Sequence, residues 1–153
     1  LYETCAAVEP AELPQLAAVV ADLHDTLFDF RRRYGAGRAI AAPQISVMKR
    51  LVYMHVGEPV TFVNPVLDRL SDEPLELWDD CMSFPDLLVW VRRHRSCRIT
   101  YRDLDWREQS RTLEGDLSEL LQHEVDHLDG ILAVDRAVGE HPFCLRSERN
   151  QAG

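Results

Sequence analysis

The sequence predicts an α+β fold: antiparallel sheets packed around a central helix, with a long helix at the N-terminal end. Three observations predict it. Apolar residues recur at three- and four-residue spacing in two stretches, one near each end. Between them lies a run of short apolar segments broken by Gly, Pro and Asp turns. The connections between those segments are too short for parallel crossovers, so neighbouring strands should pair antiparallel.

The first helix is read over Ala11 to Tyr34, where Leu13, Leu16, Val19, Val20, Leu23, Leu27 and Phe30 make one apolar stripe. Arg31, Arg32 and Arg33 suit its C-terminus, where cations complement the helix dipole, and Gly35 and Gly37 end it. Strands are read at Leu51–Val56 and Val60–Val63 around a Gly-Glu-Pro turn, then at Val66–Leu70 and Leu75–Trp78. Leu87–Val91, Cys97–Tyr101 and Ser110–Leu113 complete the series, and Gly115 introduces a second helix, Asp116–Leu128, closed by Gly130. A last short strand is expected at Ile131–Val134, and a loose polar tail over 137–153. The whole length, 1–153, reads as one domain.

Composition narrows the partners. Lys and Arg number 17 against 26 Asp and Glu, a net charge of −9. Such a chain is not built to hold nucleic acid or an anionic membrane surface. No apolar run approaches the roughly 20 residues needed to span a bilayer. Cys5, Cys81, Cys97 and Cys144 include no Cys-x-x-Cys pair, so reduced thiols in a cytoplasmic setting are expected.

The second helix carries chemistry. In Gln122-His123-Glu124-Val125-Asp126-His127 the two histidines stand four apart, so they share a helix face and can grip one metal ion. Glu124 completes an H-E-x-x-H pattern. At about 100° per residue, Glu124 falls on the same arc as Leu117, Leu120, Leu121 and Leu128. A carboxylate on an apolar face needs a partner, and a divalent ion or an arginine would supply one. A third ligand is required, and Cys81 after the Leu75–Trp78 strand is the natural choice. A metalloprotease built on the same pattern would instead draw a ligand from beyond the helix, such as Asp135 or His141.

Three segments in order resemble the peptide deformylase family. Gly37-Arg38-Ala39-Ile40-Ala41-Ala42-Pro43-Gln44 resembles its G-x-G-x-A-A-x-Q motif. Asp79-Asp80-Cys81-Met82-Ser83 resembles E-G-C-x-S, and Gln122 to Gly130 matches Q-H-E-x-D-H-L-x-G throughout. The likeness runs from about Gly35 to Arg136. It implies small antiparallel sheets around the metal-binding helix. It implies Cys81, His123 and His127 as ligands of one divalent ion, with a fourth position for water. Ferrous iron is the ion implied, and zinc or nickel can replace it. Glu124 would act as general base and acid in removing an N-formyl group from an amine, releasing formate. The Gln44 amide and the Met82 backbone N–H would hold the oxyanion. The implied substrate is an N-formyl-methionyl peptide.

The departures concern the substrate. The usual Glu and Gly of the second motif are Asp79 and Asp80, and the second Gly of the first motif is Ala39. Asp80 sets a charge beside Cys81, with Arg92 and Arg93 as available partners. Family positions lining the methionine pocket become Arg38, Leu77, Asp116, Glu119 and Leu120. With Ala39, Asp79 and Asp80 these form the expected substrate-binding set. Arg38 and Glu119 replace aliphatic residues. Either they pair or point to water, or the pocket accepts a polar or charged N-formyl compound. A non-catalytic binding protein that keeps the fold is the competing reading.

Overall fold

The computed structural model describes residues 1–152, with side chains described through residue 149. Helix α1 spans Leu13–Tyr34, entered through a single 3₁₀ turn at Pro10–Glu12 and ended by Gly35 in the left-handed conformation. Strands β1 to β7 follow: Ala39–Ala41, Leu51–Val56, Glu58–Asp68, Pro74–Cys81, Phe84–His94, Ser96–Arg102 and Glu108–Glu114. Helix α2 covers Asp116–Leu128, β8 covers Phe143–Leu145, and α3 begins at Arg146.

Two antiparallel sheets result, one of five strands in the order β1-β2-β3-β6-β7 and one of three in the order β4-β5-β8. Side chains alternate across the larger sheet, and its two faces bury different helices. Leu16, Leu23 and Leu27 of α1 pack on the face bearing Ile40, Leu51, Tyr53 and Val63. Leu120, Leu121 and Leu128 of α2 pack on the opposite face, with Ala39, Ala41, Val52 and Phe62. The metal-motif helix is therefore central, with the smaller sheet beside it through β5.

Three sequence expectations need correction. Val60–Val63 and Val66–Asp68 belong to one long strand, β3, with an irregular register between Val63 and Val66, and the strand ends before Leu70. Asn64 takes a positive φ there, and its side chain exchanges two hydrogen bonds with the Val8 backbone, so the break between the two apolar runs is a bulge within one strand. Ile131–Val134 is not a strand: a 3₁₀ turn at Ala133–Arg136 follows, with the Asp135 carboxylate accepting the Leu132 N–H at 2.9 Å. The stretch after Arg136 is not loose throughout. Leu145, Cys144 and Phe143 pair with Leu87, Leu88 and Val89, and Arg146 donates to the Pro85 carbonyl.

Candidate metal centre

Strand β5 is the common reference for both chain segments that bear the cluster. It pairs with β4, whose last residue is Cys81, and the register shifts between Asp80 and Cys81. It also holds α2. The Gln122 side chain accepts the His94 N–H at 3.0 Å and donates to the His94 carbonyl at 2.7 Å, and Ser118 Oγ donates to that carbonyl at 2.9 Å. The far end of α2 is fixed by Gly130, at φ +73°, where a Cβ would stand 2.5 Å from the Tyr2 carbonyl oxygen. The conformation and the close approach both demand glycine.

Cys81, His123 and His127 come together, all buried, with one ligand atom from each lying within 4.8 Å of the others. His127 Nε2 is 3.4 Å from Cys81 Sγ and 3.2 Å from His123 Nε2. The other nitrogen of His123, Nδ1, donates to Asp79 Oδ2 at 2.9 Å. That bond fixes the tautomer and leaves the Nε2 lone pair facing the cluster. Two imidazole nitrogens and a sulfur so close can all turn their lone pairs on one cation. One thiolate and two imidazoles suit a borderline divalent ion. The residues therefore fit a metal site. Asp135 caps the turn at Leu132, and His141 is no part of the cluster, so the third ligand of the metalloprotease alternative is not supplied from there.

Behind the cluster runs a sealed ionic network. Arg93, only 3% exposed, donates to Asp79 at 2.8 Å and to Asp126 at 2.9 Å. Arg136 closes the far side of Asp126 at 3.0 Å. Burial opposes ionisation of Asp79, but His123 and Arg93 outweigh it and hold the carboxyl at about 2. Burial likewise opposes charge on His123, yet the Asp79 carboxylate raises its pKa well above the ordinary value. Burial, reinforced by His123, pushes His127 down to about 3, which keeps it a neutral donor. Glu124 behaves oppositely: burial pushes its carboxyl up to about 7, and its Oε2 is sealed from solvent with no hydrogen-bond partner. A carboxyl of that pKa can both take and return a proton near neutrality.

Gln44 reaches the same place. Its Oε1 accepts the Ala41 N–H at 2.9 Å, which turns Nε2 toward Ser83 Oγ at 3.1 Å and Cys81 Sγ at 3.8 Å. Met82 follows Cys81 and lines the adjoining cavity, which measures about 290 Å³. Arg38, Ala39, Asp80, Glu119 and Leu120 also line it, as expected from the sequence.

Two of the expected substrate residues do not. Leu77 shares the strand face of Asp79, but it stands two residues farther from Cys81, opposite Val91, and packs with Val89, Val91 and Ala133 on the smaller sheet. Asp116 is exposed, and only its carbonyl comes near, 3.5 Å from Arg38 Nη1. Asp79 touches the cavity, but its carboxylate serves His123 and Arg93. The anion beside Cys81 is also paired differently from the expectation. Asp80 takes Arg146 Nη2 at 2.9 Å, while Arg92 serves Glu76. Arg38 and Glu119 pair directly, at 2.6 Å. Phe30 and Ala36 join the cavity wall without any signal in the motifs. Ser118 and Arg146 were equally silent, since both act through residues distant in the chain.

The comparisons agree with this geometry. The family model described as polypeptide deformylase matches residues 1–142. A peptide deformylase of Desulfitobacterium hafniense is 37% identical, over 81% of this chain and 79% of that one. The crystal structure of a peptide deformylase from Synechococcus elongatus with actinonin superposes with a TM-score of 0.83 at 27% identity, covering 99% of this chain and 78% of that one. A Met-Ala-Ser-bound class I type b peptide deformylase from Acinetobacter baumannii gives 0.80 at 29% identity, covering 88% and 90%. The chain therefore belongs to the peptide deformylase family, the metal-dependent hydrolases that remove an N-formyl group from peptides.

Proposed function

We propose that this chain hydrolyses an N-formyl amide with Cys81, His123 and His127 holding the ion, Glu124 moving the proton, and Gln44 and Met82 stabilising the oxyanion. The observation that carries the reading is Glu124: a sealed carboxyl with an unpartnered Oε2, on the helix that bears both histidines of the Cys81–His123–His127 cluster. A binding protein has no use for a proton carrier there. Cys81, His123 and His127 would hold a divalent ion, which would lower the pKa of water and polarise the formyl oxygen. Glu124 accepts the proton of the attacking water as the new C–O bond forms. Gln44 Nε2 and the Met82 N–H donate to the oxygen that becomes negative. Glu124 then returns the proton to the amine nitrogen as the C–N bond breaks, and formate and the free amine result. Asp79 keeps His123 in its donor tautomer throughout.

Ferrous iron is the ion we assign, with zinc or nickel able to replace it; one thiolate and two imidazoles suit all three. We place the protein in the cytoplasm, a setting that suits its four free thiols. No helix among the described residues is long and apolar enough to cross a membrane. The test is Glu124→Ala. The variant should keep its bound metal and lose about 100-fold or more in formate release. Loss of the metal, or retention of activity, would overturn the assignment.

A further inference from the structure

The cavity beside Cys81 and Glu124 has a charged wall, and that wall selects the substrate. Glu119 is the buried member, its side chain only 5% exposed, and it lies one helical turn from His123. Arg38 meets its Oε1 at 2.6 Å, but the arginine side chain is 40% exposed. The other Glu119 oxygen takes no hydrogen bond among the described residues. The two partners are thus unequal. Arg38 already stands partly in water, so it can swing outward more readily than Glu119. Glu119 cannot leave, and an unpaired buried carboxylate is expensive.

A side chain that displaces Arg38 must therefore satisfy Glu119 in its place. A thioether or alkyl end offers no hydrogen and would strand the carboxylate. A carboxylate end would add a second anion beside it. An ammonium on a flexible stem supplies donors for both Glu119 oxygens, while the stem lies along Leu120, Phe30 and Ala36. The surrounding charge agrees. Asp80 also lines the cavity, paired with Arg146, and Arg38 is the one lining Lys or Arg among the described residues. The cluster does not reverse this balance: a divalent ion on one thiolate leaves a single positive charge, and Glu124 stands beside it.

Resting on the deformylase reading, we propose that the preferred substrate is an N-formyl compound whose first side chain is an aliphatic stem ending in an amine, of the lysine or ornithine kind. The geometry that carries this is the buried Glu119 carboxylate facing the reaction cavity with a replaceable partner, Arg38. The Acinetobacter baumannii relative crystallised with Met-Ala-Ser holds a peptide with an apolar first residue; here the same reaction would be aimed at a cationic one.

The test compares formate release from N-formyl-Lys-Ala-Ser, N-formyl-norleucyl-Ala-Ser, N-formyl-Met-Ala-Ser and N-formyl-Glu-Ala-Ser by iron-loaded protein. The lysyl peptide should exceed the norleucyl peptide, its apolar analogue, by about tenfold or more in kcat/KM. Glu119→Gln keeps volume and the contact with Arg38, and should cut that ratio about tenfold. The paired change Arg38→Ile with Glu119→Ile should reverse it. Preference for the methionyl, norleucyl or glutamyl peptide by the unaltered protein would overturn the inference and leave the deformylase reading standing. So would a ratio unmoved by Glu119→Gln. Formate from none of the four would overturn both.

Discussion

The backing of the metal centre and the wall of the adjoining cavity are both made of ion pairs, and they are built on different terms. At the backing, Arg93 is 3% exposed and gripped from two sides by Asp79 and Asp126. At the wall, one ion pair joins Glu119 to an arginine that is 40% exposed. The first arrangement cannot lose a member without stranding buried charge. The second can exchange one partner for water or for substrate. Rigidity sits where a ligand must be aimed, and adaptability sits where a side chain must be chosen.

The difference can be broken by substitution. Arg93→Ala should destabilise the fold by about 3–5 kcal/mol, because it leaves two carboxylates without their shared partner; chemical denaturation measures it. A loss below about 1 kcal/mol would mean that water reaches the network and that it is not sealed. Asp79→Asn keeps the shape but removes the charge behind His123. Metal affinity should fall about 10- to 100-fold, read by competition with a chelator. An unchanged affinity would dismiss Asp79 as the residue that orients His123.

Acid should act on the same backing. The folded pKa of Asp79, about 2, lies below its unfolded value near 3.8. Its contribution, about 2 kcal/mol, is thus fully present above the unfolded value and is lost as pH falls from about 4 through about 2. In Asp79→Asn that segment of the stability–pH curve should flatten. Metal uptake runs the other way. The pKa of His123 is raised, so its proton competes with the ion, and affinity should climb with pH until that proton is gone. Smallest of all, Arg38→Ile should cost about 1–2 kcal/mol in stability, because it leaves one buried carboxylate without its partner where Arg93→Ala leaves two. A loss as large as that of Arg93→Ala would erase the contrast between the two regions.

What the sequence disclosed follows the same division. Helix α2 was legible to the residue, because i, i+4 histidines and a leucine stripe are local signals. Cys81, Gln44 and Glu124 stood out because their motifs are contiguous. The pairing of Arg38 with Glu119 was one of two open readings, since the residues are 81 positions apart and only the packing of β1 against α2 decides it. Arg146 gave no signal, because the tail is polar and its order depends on pairing with β5. Leu77 was misplaced into the cavity because motif alignment does not show how far along β4 the cavity reaches: Leu77 shares the face of Asp79 but packs with Val91 and Ala133 beyond it. The three-residue β1 was too short to read by period, although it carries the cavity's own Ala39.

The most direct test of the account is formate release from N-formyl peptides as ferrous iron is added anaerobically, in the unaltered protein and in Cys81→Ala. Activity should rise with metal and level off at one ion per chain, and Cys81→Ala should bind the ion far more weakly and release little formate. Activity without metal, saturation at another stoichiometry, or full activity without the thiol would contradict a single ion held by Cys81, His123 and His127.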